Sequence, residues 1–237
     1  MAGHSKWSQI KHKKAIADAK KGALFGKLSR AITIAARGNT DPATNSRLKA
    51  EIERARAVNM PLENIERAIR KTTEAADTLS ELSLEFIGPG NAGVVVRAIT
   101  DSSNRTINEL RQIAASHNAR LAGQGSVVWM FKKIGLIVLA APATPDLQLR
   151  AIDAGADDVL DEDGVSVIYT SPEKLDAVRS VLGDIVASAE ITLIPTTPAP
   201  ISNEAERAAA DAFVSALEDH DDVQAVYTTY ERSFEYT

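Results

Sequence analysis

The spacing of apolar residues first changes period near residue 80. Before that point it is helical. Leu24, Leu28, Ala31 and Ala35 recur three to four residues apart, and Phe25 and Ile32 widen the same face. Gly38 and Asn39 supply a stop. Leu48, Ile52 and Ala55 form a second stripe. Asn59-Met60-Pro61 ends it and opens a third, made of Leu62, Ile65 and Ile69, because proline is tolerated at a first helical position. Short amphipathic helices with short links predict a three-helix bundle over residues 1–78.

From Leu82 the period is two. Leu82–Ile87 and Gly93–Thr100 read as strands around a Gly-Pro-Gly turn. Asp101–Asn104 reads as a cap for a helix carrying Ile107, Leu110, Ile113 and Ala114. A turn at Gly123–Gly125 leads to a strand over Ser126–Phe131. A self-contained series follows: strand Leu136–Ala140, helix Pro145–Ala154, strand Asp158–Asp161, a turn at Asp163-Gly164, strand Val165–Tyr169, helix Pro172–Leu182 and strand Glu190–Ile194. The order β-α-β-β-α-β is that of a ferredoxin-like unit. "PTTPAP", residues 195–200, reads as an extended linker. The last segment predicts a helix entered at Asn203 with Phe213, Val214 and Leu217 buried, then a strand over Val223–Tyr230. One helix and one strand cannot enclose a core, so they return to the sheet of residues 82–131. The expected fold is therefore α+β and multidomain: a basic helical domain at 1–78, an α/β domain at 79–133 plus 201–237, and an inserted ferredoxin-like domain with its proline linker at 134–200.

Charge sharpens this division. The 237 residues carry a formal net charge of −5. Residues 1–75 hold 16 lysines and arginines against 7 carboxylates, net +9, and residues 76–237 are net −14. A basic module on an acidic body points to a polyanion as the first partner to consider. Cysteine is absent, which excludes disulfides, thiolate metal sites and cysteine nucleophiles. Neither a membrane-spanning run nor a secretory signal is expected, which makes the cytoplasm the default location.

Within the basic module, Lys6, Lys13, Lys20 and Lys27 lie seven residues apart. On a continuous helix that spacing drifts only about 20° per step, so the four ammoniums form one stripe. Lys14 and Lys21 lie alongside, and Lys11, Arg30 and Arg37 extend the surface. A row of cations can follow a phosphate backbone by displacing condensed counterions. Trp7 can stack on a base or seat the segment against protein, and His4 and His12 add charge if protonated near phosphate.

Other motifs carry less. Residues 88–93, "GPGNAG", match the G-x-G-x-x-G string, but a strand-like "VVVRAIT" follows where a dinucleotide site needs a helix, so this is a hairpin turn. Asp161–Gly164 lacks the preceding acid of a calcium loop and reads as a turn. Glu218-Asp219-His220-Asp221-Asp222 offers ligands for a metal but reads first as a solvated helix end, and His117 has no partner at metal spacing. No nucleophile elbow, P-loop or H-E-x-x-H occurs. No metal or cofactor is expected.

Met1-Ala2-Gly3-His4-Ser5-Lys6-Trp7 resembles the opening of the YebC/PmpR family, related to the mitochondrial translational activator of cytochrome c oxidase subunit one. The resemblance continues through Asp18-Ala19-Lys20-Lys21, Asp41-Pro42, Asn59-Met60, Arg67-Ala68-Ile69 and Gly88-Pro89-Gly90. It runs on through Asn104-Arg105-Thr106, Gly125-Ser126-Val127, Ala154-Gly155-Ala156 and Asp221-Asp222-Val223-Gln224, nearly the entire chain. Departures are Phe86-Ile87, Asn91 and Ser102. The resemblance implies three domains, the third inserted in the second, and no established catalytic residues. It also implies a cytoplasmic, probable transcriptional regulator that binds DNA. Some members are described as ribosome-associated factors that help translation through proline runs.

The expectation is thus a non-enzymatic regulator binding DNA through phosphate contacts. The alternative is a translation factor on ribosomal RNA. A hydrolase in a cleft between the α/β domains is the third possibility, marked by convergent carboxylates. The acidic domains offer surface for protein partners, and no membrane partner is expected.

Overall fold

A computed structural model describes residues 21–72, 78–162, 164–230 and 232. Among them are seven α-helices and two four-stranded sheets. They divide into two compact units, one spanning Phe131–Thr196 and the other combining the described residues up to Met130 with those from Thr197 onward.

In the second unit, α1 (Lys21–Ala35), α2 (Ser46–Ala57) and α3 (Leu62–Arg70) share one core. Leu28, Ile32 and Ala35 meet Leu48, Ile52, Ala55, Ile65 and Ala68 there. Asn45 begins α2 by accepting the N–H of Leu48 on its side chain. The third stripe differs from expectation: Leu62 is exposed, and Ala68 is buried with Ile65. Helical side chains lean toward the N-terminus, so one at the first position overhangs the end of the packed face. Helix α1 buries a second side as well. Ala31 and Ile34 pack on Ile99 of the neighbouring sheet.

That sheet has the order β3-β1-β2-β8 and is antiparallel throughout: β1 (Ser80–Ile87), β2 (Gly93–Thr100), β3 (Arg120–Leu121) and β8 (Val223–Thr228). Its alternating residues Phe86, Val94, Val96, Ala98 and Val226 enter a core closed by α4 (Ser103–Ser116) and α7 (Glu204–Asp219). Phe86 and Phe213 meet edge to face at 5.9 Å. The terminal helix and strand do return to the first sheet, and Asn203 caps α7 through the N–H of Glu206. Between β1 and β2, Gly90 (φ 64°) and Asn91 (φ 56°) both take left-handed backbone. A Cβ on Gly90 would lie 2.8 Å from Ile201, while asparagine tolerates this region better than other residues with side chains.

One expected strand is absent. Ser126–Met130 is a turn ending in a 3-10 stretch at Val128–Met130, and the next strand begins only at Phe131. The Glu85 carboxylate takes the backbone N–H groups of Gly125, Val127 and Val128, which are therefore not offered to a neighbouring strand.

The first unit has the chain order β4 (Phe131–Leu139), α5 (Pro145–Asp153), β5 (Ala156–Glu162), β6 (Val165–Thr170), α6 (Leu175–Leu182), β7 (Val186–Pro195). In space its strands run β5-β6-β4-β7, all antiparallel. Ile137, Leu139 and Ile168 face α5 and α6, and Ile134, Leu136, Val167 and Tyr169 form the opposite face. β4 starts five residues before its expected start, β7 extends past both of its expected ends, and the two pair along nearly their full length. A Cβ on Gly135 would sit 2.5 Å from Thr170 Oγ1 and 3.1 Å from Leu175 Cβ. Gly135→Ala is accordingly expected to cost about 1–3 kcal/mol, read as a lowered urea midpoint with unchanged slope.

Candidate nucleic-acid interface

The described helices α1–α3 carry an exposed cationic surface. Lys49 and Arg56 lie seven residues apart on α2, Arg67 and Arg70 on α3, and Lys71 follows; all are exposed. These cations were not singled out in the sequence, where only the opening lysines had a regular spacing. Arg54 and Arg70 form exposed intrahelical pairs with Glu51 and Glu66, which contribute little to stability. An open groove of about 600 Å³ lies at the end of α1, with Arg37, Asn39, Asn45, Arg47 and Glu81 around it. Arg47 pairs with Glu81 there, and Arg37 donates to the Leu79 carbonyl at 2.8 Å.

Of the residues expected to contact nucleic acid, His4, Lys6, Trp7, Lys11, His12, Lys13, Lys14 and Lys20 lie outside the described residues. Lys21 is exposed near the start of α1. Lys27 and Arg30 are not on an open face. Lys27 Nζ donates to the Glu218 carbonyl at 2.6 Å, and Arg30 donates to the Asp221 carbonyl and stands 3.7 Å from the Asp222 carboxylate. Burial lowers the Lys27 ammonium pKa, opposed by Asp221, Glu218 and Asp219. The acidic α7–β8 corner thus binds the helical module to the sheet.

That corner was expected to be a solvated helix end, and the structure corrects this. Asp222 is buried. Its Oδ2 accepts from Thr106 Oγ1 at 2.6 Å and from Arg105 at 3.0 Å. His220 Nδ1 accepts the Asp222 N–H at 3.1 Å, which leaves Nε2–H to donate to Glu109 at 3.0 Å. Glu109, His220 and Asp222 are close enough to share an ion, their ligand atoms lying within 4.8 Å of one another. Yet Arg105 already occupies this neighbourhood, 3.0 Å from Asp222 and 3.8 Å from Glu109, and the His220 lone pair is used. The chemistry is that of a structural ion network centred on a guanidinium, not of a cation cradle.

Two buried carboxylates hold their pKa values below the usual range. For Asp222, burial pushes upward but hydrogen bonds from Thr106 and Arg105 outweigh it; for Glu85, burial is outweighed by the three backbone N–H donors. The unfolded chain therefore takes up protons first on acidification. Stability from both groups is complete above the ordinary carboxylate range near pH 4 and is lost as pH falls through their lower folded values. Unfolding free energies measured from pH 6 downward should decline in that window. Glu85→Gln should flatten the decline, and an unaltered profile would contradict the assignment.

The fold and this surface define an α+β protein with two antiparallel sheets and a cation-rich helical module tied to an acidic corner. Residues 5–75 match the TACO1/YebC protein N-terminal domain, and residues 79–230 match the TACO1/YebC second and third domain. The chain belongs to the TACO1/YebC family. A relative from Pelotomaculum thermopropionicum is 45% identical over 242 residues, covering 98% of this chain and 99% of its own. One from Kosmotoga olearia is 42% identical over 240 residues, covering 98% and 94%. Both are named probable transcriptional regulatory protein. The crystal structure of a conserved hypothetical protein from Aquifex aeolicus superposes with a TM-score of 0.84 at 38% identity, covering 97% of this chain and 98% of that one.

Proposed function

We propose that this chain is a non-enzymatic, DNA-binding regulator of transcription that grips the phosphate backbone through its lysine-rich opening and the exposed cations of α2 and α3. The observation that carries the reading is the partition of charge, +9 over residues 1–75 against −14 over the rest. The regulator names of its relatives support it. No helix among the described residues is long and apolar enough to cross a membrane. The reading places the protein in the cytoplasm, without metal or cofactor. Its three domains are the helical one at 1–78, the α/β one at 79–133 plus 201–237 and a ferredoxin-like insertion at 134–200, whose strand order β5-β6-β4-β7 supports that description. The acidic surfaces keep the basic module off random polyanions or receive protein partners. Crosslinking in cells, followed by sequencing of the bound nucleic acid, tests it: reads at promoters are expected, and reads confined to ribosomal RNA would replace this reading with a translational one.

A further inference from the structure

Trp129 is the most exposed large hydrophobic side chain among the described residues, at 68%, and its neighbour Val128 is also exposed. The turn that presents them is rigidly built. Glu85 on β1 is buried, and its carboxylate accepts the N–H of Gly125 at 2.6 Å, Val127 at 2.5 Å and Val128 at 2.9 Å. The Glu85 carbonyl also accepts the N–H of Ala122 at 2.7 Å. Val127 is buried as an anchor, so close to β2 that a Cβ on Gly93 would meet it at 2.9 Å. The Trp129 indole N–H donates to the Ser126 carbonyl at 2.9 Å, which fixes the ring outward.

Holding an indole in water forgoes the gain of burying it, so packing does not explain this turn. Its neighbourhood along the sequence favours an anionic partner. No Asp or Glu occurs from Leu110 to Pro145, whereas Arg111, Arg120, Lys132 and Lys133 do, in a portion of the chain that is otherwise acidic. The one carboxylate beneath the turn faces inward and is satisfied by three donors. A fixed aromatic face on a stretch without negative charge is suited to a base of a phosphate polymer. Bases in a duplex do not present their faces, so the preferred ligand is single-stranded.

We propose that Trp129, held out by the Glu85-pinned turn, is a stacking platform for an unpaired nucleobase, a contact separate from the lysine-rich opening. This rests on the nucleic-acid reading above and specifies the strandedness of the ligand.

The chain has two tryptophans, Trp7 and Trp129, so a Trp7→Phe variant reports on Trp129 alone. In that variant, a 20-nucleotide single strand should quench indole fluorescence, while the matching duplex should bind by anisotropy without quenching. Trp129→Ala should weaken single-strand binding about tenfold and leave the duplex affinity and the urea midpoint unchanged. Trp129→Phe should retain part of the affinity. Equal single-strand affinity for wild type and Trp129→Ala, or an unquenched indole in a saturated complex, overturns the platform and leaves the phosphate reading standing. Failure to bind either strand form in dilute salt overturns both. Loss of a defined protein partner in Trp129→Ala, with oligonucleotide binding intact, would assign the turn to protein recognition and also overturn it.

Discussion

Asp222→Ala is expected to lower the unfolding free energy by about 3 kcal/mol. The carboxylate is buried at the junction of β8, α4 and α1, where it receives Thr106 and Arg105 and faces Arg30. Removing it leaves the Thr106 hydroxyl, itself fully buried, with only the Ser102 carbonyl and the Thr100 hydroxyl, takes the nearby carboxylate from Arg30, and leaves Arg105 with Asp101 and Glu109. Arg105 is half exposed and can turn to water, which keeps the expected loss at the lower end for a broken buried pair. Asp222→Asn keeps an acceptor for Thr106 but loses the charge, so it should fall between the alanine variant and wild type. Urea unfolding measures this ordering. An alanine variant with a wild-type midpoint would show that the corner is only a surface pairing.

The second large effect concerns binding. Changing Lys6, Lys13 and Lys20 to Glu should abolish most affinity for duplex DNA, a loss of at least about 100-fold at moderate salt. Lys27 shares their spacing but is left out, because its ammonium is bonded to the Glu218 carbonyl and its reversal would strike the fold. If the wild-type protein neutralises about six phosphates, log K falls with log salt at a slope of roughly −5, and a fourfold rise in salt weakens binding by about 1,000-fold. Losing three contacts should bring the slope to about −3 or shallower. Anisotropy titrations of a labelled duplex across a salt series give both numbers. An unchanged slope in the triple variant would remove the opening lysines from the interface.

Much of the architecture was legible in the chain because amphipathic period is local. The shift from helical to alternating spacing near residue 80 separates α1–α3 from the first sheet, and the hydrophobic residues of α7 identified its buried face. The misplaced elements share a cause. Ser126–Phe131 has the β-branched and aromatic composition of a strand, but Glu85, 42 residues before Val127, takes the N–H groups of Val127 and Val128. Leu62 matched its stripe in period and failed because it lies at the helix end, where no partner covers it.

The sequence by itself determined most of the element types, most of the core positions and the segregation of positive from negative charge, since these are set largely by neighbours within a few positions. Only the tertiary structure decided which charges remain available. Lys27 and Arg30 are matched by acceptors 191 residues away at the α7–β8 corner, and Asp222, apparently one acid among several, becomes the buried centre of a network. Charge acts through space, and its partners are fixed by how the chain folds back, which local spacing does not encode.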